Sequence, residues 1–411
     1  MPLSFEQKLQ NYADLAVEVG VGLRPGQRLI IRAPIEGAAL VRLIAASAYE
    51  AGARLVDVLW QDDGLTLTRF RHAPRDSFEE FAEWRTEVLT QAAEKGDAVL
   101  SVYASDPELL KDQDPALIAL SQRIYDEHMK PFRRKVMADE LNWSIIALPI
   151  PAWAARIFPD DLSDKQISNL WETIFQVCRA DQVDPVEAWQ EHNLGLTVRK
   201  NYLNARQYAA LRYTAPDTDF TIGLPEEHIW QGGGSETTSG ITFNPNIPTE
   251  EVFTLPHKDL ADGVVTATRP LSYGGVLIEN FSLTFEGGRV VKAMAEKGDT
   301  VLRNLIDTDE GAARLGEVAL VPNSSPISQS GLLFYNTLYD ENAASHLALG
   351  RAYRFSLKDG KLMSDEEFLL AGGNDSHIHV DFMIGSGQMT VEGITRNGSA
   401  HLIMRDGEWA F

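Results

Sequence analysis

The chain has 411 residues, 44% hydrophobic and 23% charged, and its 59 acidic against 37 basic side chains give a formal net charge of −22. That sign argues against nucleic acid as a partner, because phosphate binding depends on basic groups that displace condensed counterions. With a single cysteine, Cys178, the chain can form neither an intramolecular disulfide nor a thiolate zinc site, so any metal must be held by histidine and carboxylate. The opening residues, Met1-Pro2-Leu3-Ser4-Phe5, carry no basic region leading into an apolar core, and no apolar run approaches the length that spans a bilayer. A cytoplasmic location with no membrane partner is therefore expected.

At this length two domains are expected, since single cores rarely grow so large. Phe5, Leu9, Tyr12, Ala16 and Val19 fall at helical spacing, Pro25-Gly26 breaks that helix, and Arg28-Leu29-Ile30-Ile31-Arg32 predicts a strand. An alanine-rich helix from Gly37 to about Ala51 follows. Apolar strands are then predicted at Arg54–Trp60, Ala98–Tyr103 and Trp143–Pro149, separated by helical segments. This βαβ alternation implies a largely parallel sheet covered on both faces. The first strand-to-helix turn, Ala33-Pro34-Ile35-Glu36-Gly37, lacks the G-x-G-x-x-G pattern, and Gly232-Gly233-Gly234-Ser235 lacks the lysine of a phosphate loop and reads as a turn. No organic cofactor is expected.

Ser77-Phe78-Glu79-Glu80 and Ser163-Asp164-Lys165-Gln166 have the form of capping boxes, while Asp184-Pro185-Val186-Glu187 combines an N-cap, a proline in the first turn and an acid. A further helix is predicted from Thr197 to about Tyr213. After Pro216 the pattern changes to strands at Phe220–Leu224, Gly263–Thr268 and Gly275–Phe285, with Glu286-Gly287-Gly288-Arg289 as a hairpin turn into Val290–Ala293. The expected organisation is an α/β N-terminal domain with a largely parallel sheet over 1–195. An α+β C-terminal domain with a mixed, mainly antiparallel sheet, carrying the metal site, is expected over 196–411.

Near the C-terminus, Gly372–Gly385 predicts a strand in which His377, His379 and Asp381 share one face and Ile378, Val380, Phe382 and Ile384 the other. Imidazole and carboxylate are what a divalent transition metal takes from a protein. Taken alone, the triplet fits a mononuclear non-heme iron site of an oxygenase, and it also fits a non-catalytic metal- or peptide-binding protein. Three more clusters stand out. Glu250 and Glu251 follow a proline-stiffened turn at Pro245–Pro248. Glu317 interrupts the apolar run Leu315–Val321, where a carboxylate is costly unless paired or bound to a cation. His346 lies among small and apolar residues, shortly after Asp340-Glu341.

Together these segments resemble the metallo-aminopeptidase family typified by aminopeptidase T, aminopeptidase S and PepS. Pro-Thr-Glu-Glu-Val-Phe-Thr from Pro248, Gly-Glu-Val-Ala-Leu-Val from Gly316, His-Leu-Ala-Leu-Gly from His346 and His-Val-Asp-Phe-Met-Ile-Gly from His379 occur in the family's order, and the resemblance runs through the whole chain. It implies an exopeptidase acting on peptides with a free N-terminus, a homodimer, and two divalent metal ions, zinc or cobalt foremost, with manganese or magnesium also suitable. Carried over residue by residue, it implies Glu251, Glu317, His346, His379 and Asp381 as ligands, with Tyr353 close by to steady an oxyanion or bind metal. Glu250, Glu317 and Glu341 are all eligible as the base. His377 departs from the family pattern as an extra histidine, and Glu250 adjoins Glu251, so both remain open as members of the site.

Overall fold

Ser4 starts the first helix, α1 (Phe5–Leu15): its hydroxyl accepts the Gln7 amide while the Gln7 side chain accepts the Ser4 amide, two otherwise orphan donors satisfied reciprocally. The structure, a computed structural model, describes residues 2–104, 106 and 108–411. Its chain divides into two units, Met1–His192 with Gly234–Pro248, and Asn193–Gly233 with Thr249–Phe411. The expected boundary falls inside a helix shared by both units, and one later segment belongs to the first.

In the first unit, β1 (Arg28–Pro34), β2 (Leu55–Gln61), β3 (Ala98–Tyr103) and β4 (Trp143–Ala147) pair in parallel in the order β2-β1-β3-β4. Leu29, Ile31, Leu100 and Ile146 are fully buried, as a sheet covered by helices requires. This is the parallel α/β region expected from the βαβ alternation. Gly234–Pro248 joins it through β4: the Ile145 amide donates to the Pro245 carbonyl at 2.8 Å and the Ile247 amide to the Ile145 carbonyl at 3.0 Å.

Local predictions here were overturned in three places. Ser77 caps no helix. It lies in a 3-10 turn, Arg75–Glu79, where its hydroxyl donates back to the Pro74 carbonyl at 2.6 Å, and the next helix starts only at Trp84. Ser163 is already the first helical residue of α2 (Ser163–Val177), and the Gln166 side chain donates to the carbonyls of Phe158 and Asp161 instead of closing a box. Asp184 does cap α3 (Pro185–Arg206), accepting the Glu187 amide at 2.9 Å. That single helix absorbs the start of the one predicted from Thr197, and it ends where Gln207 takes a φ of 44°. Tyr213 falls on β5 (Ala210–Ala215), whose buried Leu211 and Tyr213 alternate with exposed Arg212 and Thr214, a period of two rather than 3.6.

The second unit contains β5, β6 (Thr218–Gly223), β7 (Val252–Thr254), β8 (Ala261–Thr266), β9 (Val276–Glu286), β10 (Arg289–Lys297), β11 (Leu315–Leu320), β12 (His346–Gly350), β13 (His379–Met383), β14 (Thr390–Ile394) and β15 (Ala400–Arg405). Among the described residues these pair antiparallel. The larger sheet runs β9-β8-β6-β5-β14-β15, with β10 also on β9, and the smaller is β13-β12-β11-β7. Val318, Leu320, Leu347, Leu349 and Phe382 of the smaller sheet enter the core that it shares with the larger one. Among the described residues no helix is long and apolar enough to cross a membrane.

A register shift between Leu315 and Glu317 makes Gly316 the extra residue of a bulge. A Cβ at Gly316 would lie 2.4 Å from the carbonyl oxygens of both Gly350 and Arg351, so only glycine lets β11 approach β12 this closely. Gly316→Ala should therefore cost about 1–3 kcal/mol of stability, the usual range for overpacking. Denaturant midpoints of the two proteins check this, and an unchanged midpoint would show that the bulge has slack.

Candidate metal centre

The smaller sheet decides which side chains meet. Glu317 lies opposite Ala348, which lies opposite Asp381; Ala319 lies opposite His346, which lies opposite Met383; and Gly350 lies opposite His379. Directly opposed residues point to the same face, so Glu317, His346, His379 and Asp381 share one. Val252 pairs with Leu320, and Glu251, one residue before it, falls on the ligand side by the same alternation. The other positions on this face include Ala319, Ala348 and Gly350, none larger than a methyl group, which leaves space above the sheet.

Into that space the acids and imidazoles converge. His346 Nε2 lies 3.1 Å from Glu251 Oε2 and 3.7 Å from Glu317 Oε1. His379 Nε2 lies 3.6 Å from Glu317 Oε2 and 3.4 Å from Asp381 Oδ1. Glu317 thus presents one oxygen to each ring. The far nitrogens are tethered: His346 Nδ1 is 3.1 Å from the Ala344 carbonyl and His379 Nδ1 is 2.7 Å from that of Arg351. A carbonyl can only accept, so each Nδ1 carries a proton, and in the neutral ring Nε2 holds its lone pair toward the carboxylates.

This donor set suits divalent cations. Glu251 Oε2 and Asp381 Oδ1 are buried without a hydrogen bond, and such oxygens are costly unless a cation meets them. Ligand atoms of Glu251, Glu317 and His346 all lie within 4.8 Å of one another. Burial, reinforced by the Glu251 charge, pushes the Glu317 carboxyl up to about 7 despite the neighbouring His346 ring. Burial acts against charge on His379 too, yet the Asp381 carboxylate lifts it to about 9. Burial likewise opposes charge on His346, but the adjoining Glu251 and Glu317 carboxylates raise it well above its usual value. Protons on the imidazoles thus offset the clustered acids, a task that divalent ions perform in a metal site.

The other expected residues surround this group. Tyr353 is held by burial, with the charges of Glu317 and Asp381 adding, well above the usual phenol range. Its ring lies 4.8 Å from that of His379 and stacks on Phe355 at 5.1 Å. Glu341 is raised well above the carboxylate range by burial and then by the charges of Glu251 and Asp381. Glu250 is buried, and its amide donates to the Asn342 side chain at 2.7 Å. His377 is left outside: it precedes β13, its ring is exposed, and its amide donates to Asp309 at 2.7 Å. Asn342 and the carbonyls of Ala344 and Arg351 were missed in the sequence, where a backbone acceptor leaves no signature.

A family model described as thermophilic metalloprotease (M29) matches residues 5–409. The chain belongs to this metallopeptidase family. It is 50% identical over 407 residues to aminopeptidase 2 of Geobacillus stearothermophilus, covering 99% of this chain and 98% of that protein. It is 45% identical to aminopeptidase T of Thermus thermophilus, covering 99% of both chains, and 41% identical to aminopeptidase PepS of Streptococcus thermophilus, covering 99% of this chain and 98% of that one. The solved structure of wild-type AmpT from Thermus thermophilus superposes with a TM-score of 0.94 at 43% identity, over 99% of this chain and 100% of that one. The protein is thus an enzyme of the metallo-aminopeptidase class, a hydrolase, and the iron-oxygenase and non-catalytic readings of the His377–Asp381 strand are set aside.

His379→Ala and Asp381→Ala should fold yet lose bound metal. A ligand present at about 100 times its dissociation constant stabilises by about 2.7 kcal/mol, so added zinc should raise the unfolding temperature of the parent and not of either variant. Thermal scans with elemental analysis check this, and full metal content in Asp381→Ala would remove that residue from the ligand set.

Proposed function

We propose that this chain hydrolyses the N-terminal peptide bond of unblocked peptides at a pair of divalent ions, zinc or cobalt foremost, held by Glu251, Glu317, His346, His379 and Asp381. When bound, such ions supply Lewis acidity that polarises the scissile carbonyl and makes water a nucleophile near neutral pH. The observation that carries the reading is the shared carboxylate. Glu317 offers one oxygen toward His346, which also meets Glu251, and the other toward His379, which also meets Asp381. Two half-sites with one common group suit two ions better than one.

The remaining side chains divide the proton work. Glu317, engaged between both imidazoles, is occupied as a ligand, and Glu250 is tied at its backbone to Asn342. Glu341 lies within electrostatic reach of Glu251, Glu317, His346 and Asp381 but outside their close contacts. It is placed to take the proton from the attacking water and return it to the leaving amine. Tyr353, half-buried and kept protonated, can donate its phenolic hydrogen to the developing oxyanion. The resemblance to this family also carries the expectation of a homodimer.

Amino-acid nitroanilides test the reading directly. The metal-loaded protein should release nitroaniline, lose that activity on chelation, regain it with zinc or cobalt, and leave N-acetylated substrates intact. Glu341→Gln should lower kcat by about 10²–10⁴-fold, the usual contribution of a general base, while keeping its metal. A metal-loaded protein inert toward a broad panel of unblocked substrates would sink the proposal, and a parental kcat in Glu341→Gln would remove that residue from the proton path.

A further inference from the structure

A cavity of about 400 Å³ lies in the second unit, lined by Thr268, Arg269, Asn323, Ser328, Ser386 and Gly387 among others. None of the candidate metal ligands lines it, and neither does any acid. In a chain of net charge −22, a half-buried guanidinium would be expected to find a carboxylate. Among the described residues Arg269 has none within ion-pair distance. It donates only to the carbonyls of Leu332 at 3.2 Å and Ser328 at 3.3 Å. The acid whose charge reaches it, Asp340, already accepts the amides of Phe334 and Asn336 at 2.7 and 2.9 Å. The Asn323 side-chain amide and the Ser328 hydroxyl make no hydrogen bond among the described residues, so further donors face the cavity. A guanidinium with spare N–H groups, neutral donors around it and its nearest acid, Asp340, beyond ion-pair distance and engaged by backbone amides is chemistry for an oxyanion.

We propose that this cavity binds the carboxylate of a peptide, with Arg269 as the cation and Asn323, Ser328 and Ser386 as surrounding polar groups. That the ligand is a peptide rests on the aminopeptidase reading. The location agrees with it. Met383, the last residue of β13, lies opposite His346, and the cavity wall begins at Gly385, two residues on, or about 7 Å at the rise of an extended strand. A peptide of a few residues with its N-terminus at the metal centre, extending about 3.3–3.6 Å per residue, has the length to set its carboxylate there. The enzyme would then favour short peptides with a free carboxyl end.

Calorimetric titration of the metal-loaded, full-length protein tests this without requiring cleavage. N-acetyl-Ala-Ala should bind at least tenfold more tightly than its C-terminal amide, and the difference should vanish in Arg269→Met and shrink in Arg269→Lys. Gly387→Asp is a second variant should Arg269→Met not fold. A Cβ there has 3.5 Å to its nearest neighbour, the Asn323 side chain, so the new carboxylate competes at the rim without crowding, and it too should abolish the difference. N-acetyl-Asp-amide against N-acetyl-Asn-amide shows whether a side-chain carboxylate is accepted like a terminal one. Equal binding of acid and amide by the parent would overturn the proposal, as would a preference that survives Arg269→Met, or inorganic phosphate binding more tightly than any peptide acid. Loss of nitroanilide hydrolysis alone would count against the aminopeptidase reading and leave this one to the titration.

Discussion

The second unit depends on one electrostatic constraint: carboxylates and imidazoles brought together on one face of a small sheet, without enough protein donors to satisfy them. Removing one ion from water is expensive, and placing several acids side by side adds repulsion, so such an arrangement persists only if positive charge is supplied. The proton affinities of Glu317, His346 and His379 express this demand. The sheet meets it by geometry. Its opposite face is apolar apart from Thr254, whose hydroxyl donates to the Ile229 carbonyl, and this fixes the register, because a slip of one residue would turn every acid into the core.

Room for ions comes from what is absent at neighbouring positions. Ala319, Ala348 and Gly350 leave the ligand face open, and the bulge at Gly316 brings β11 onto β12 where Glu317 must lie between both rings. The segment His-Leu-Ala-Leu-Gly therefore has a physical reading: alternate residues are a candidate ligand and two spacers, and the two leucines between them anchor the strand in the core.

The parallel strands of the first unit and the His379–Asp381 pair were legible because burial imposes a period that a short stretch of sequence displays. Local signals failed where a competing partner lay close by, as with Ser77 and the Pro74 carbonyl, or where burial overrode helical propensity, as at Leu211 and Tyr213. His377 failed for a long-range reason. The alternation that seemed to include it stops at His379, because Asp309, far away in the chain, holds the His377 amide and the Ser376 hydroxyl. The Arg269 cavity left no trace in the sequence, since an arginine whose guanidinium meets no carboxylate at contact distance is written like any other.

Both tethers of the His346 and His379 rings, the carbonyls of Ala344 and Arg351, flank the same strand, β12. That strand therefore works as a gauge: its length sets where the two imidazoles are hooked, and its pairing sets what they face. In the history of such a chain, insertions and deletions could accumulate in surface turns with little effect. One residue gained or lost between Ala344 and Arg351 would release both rings together and reverse the faces beyond it, so this strand should be the least tolerant of length change in the molecule.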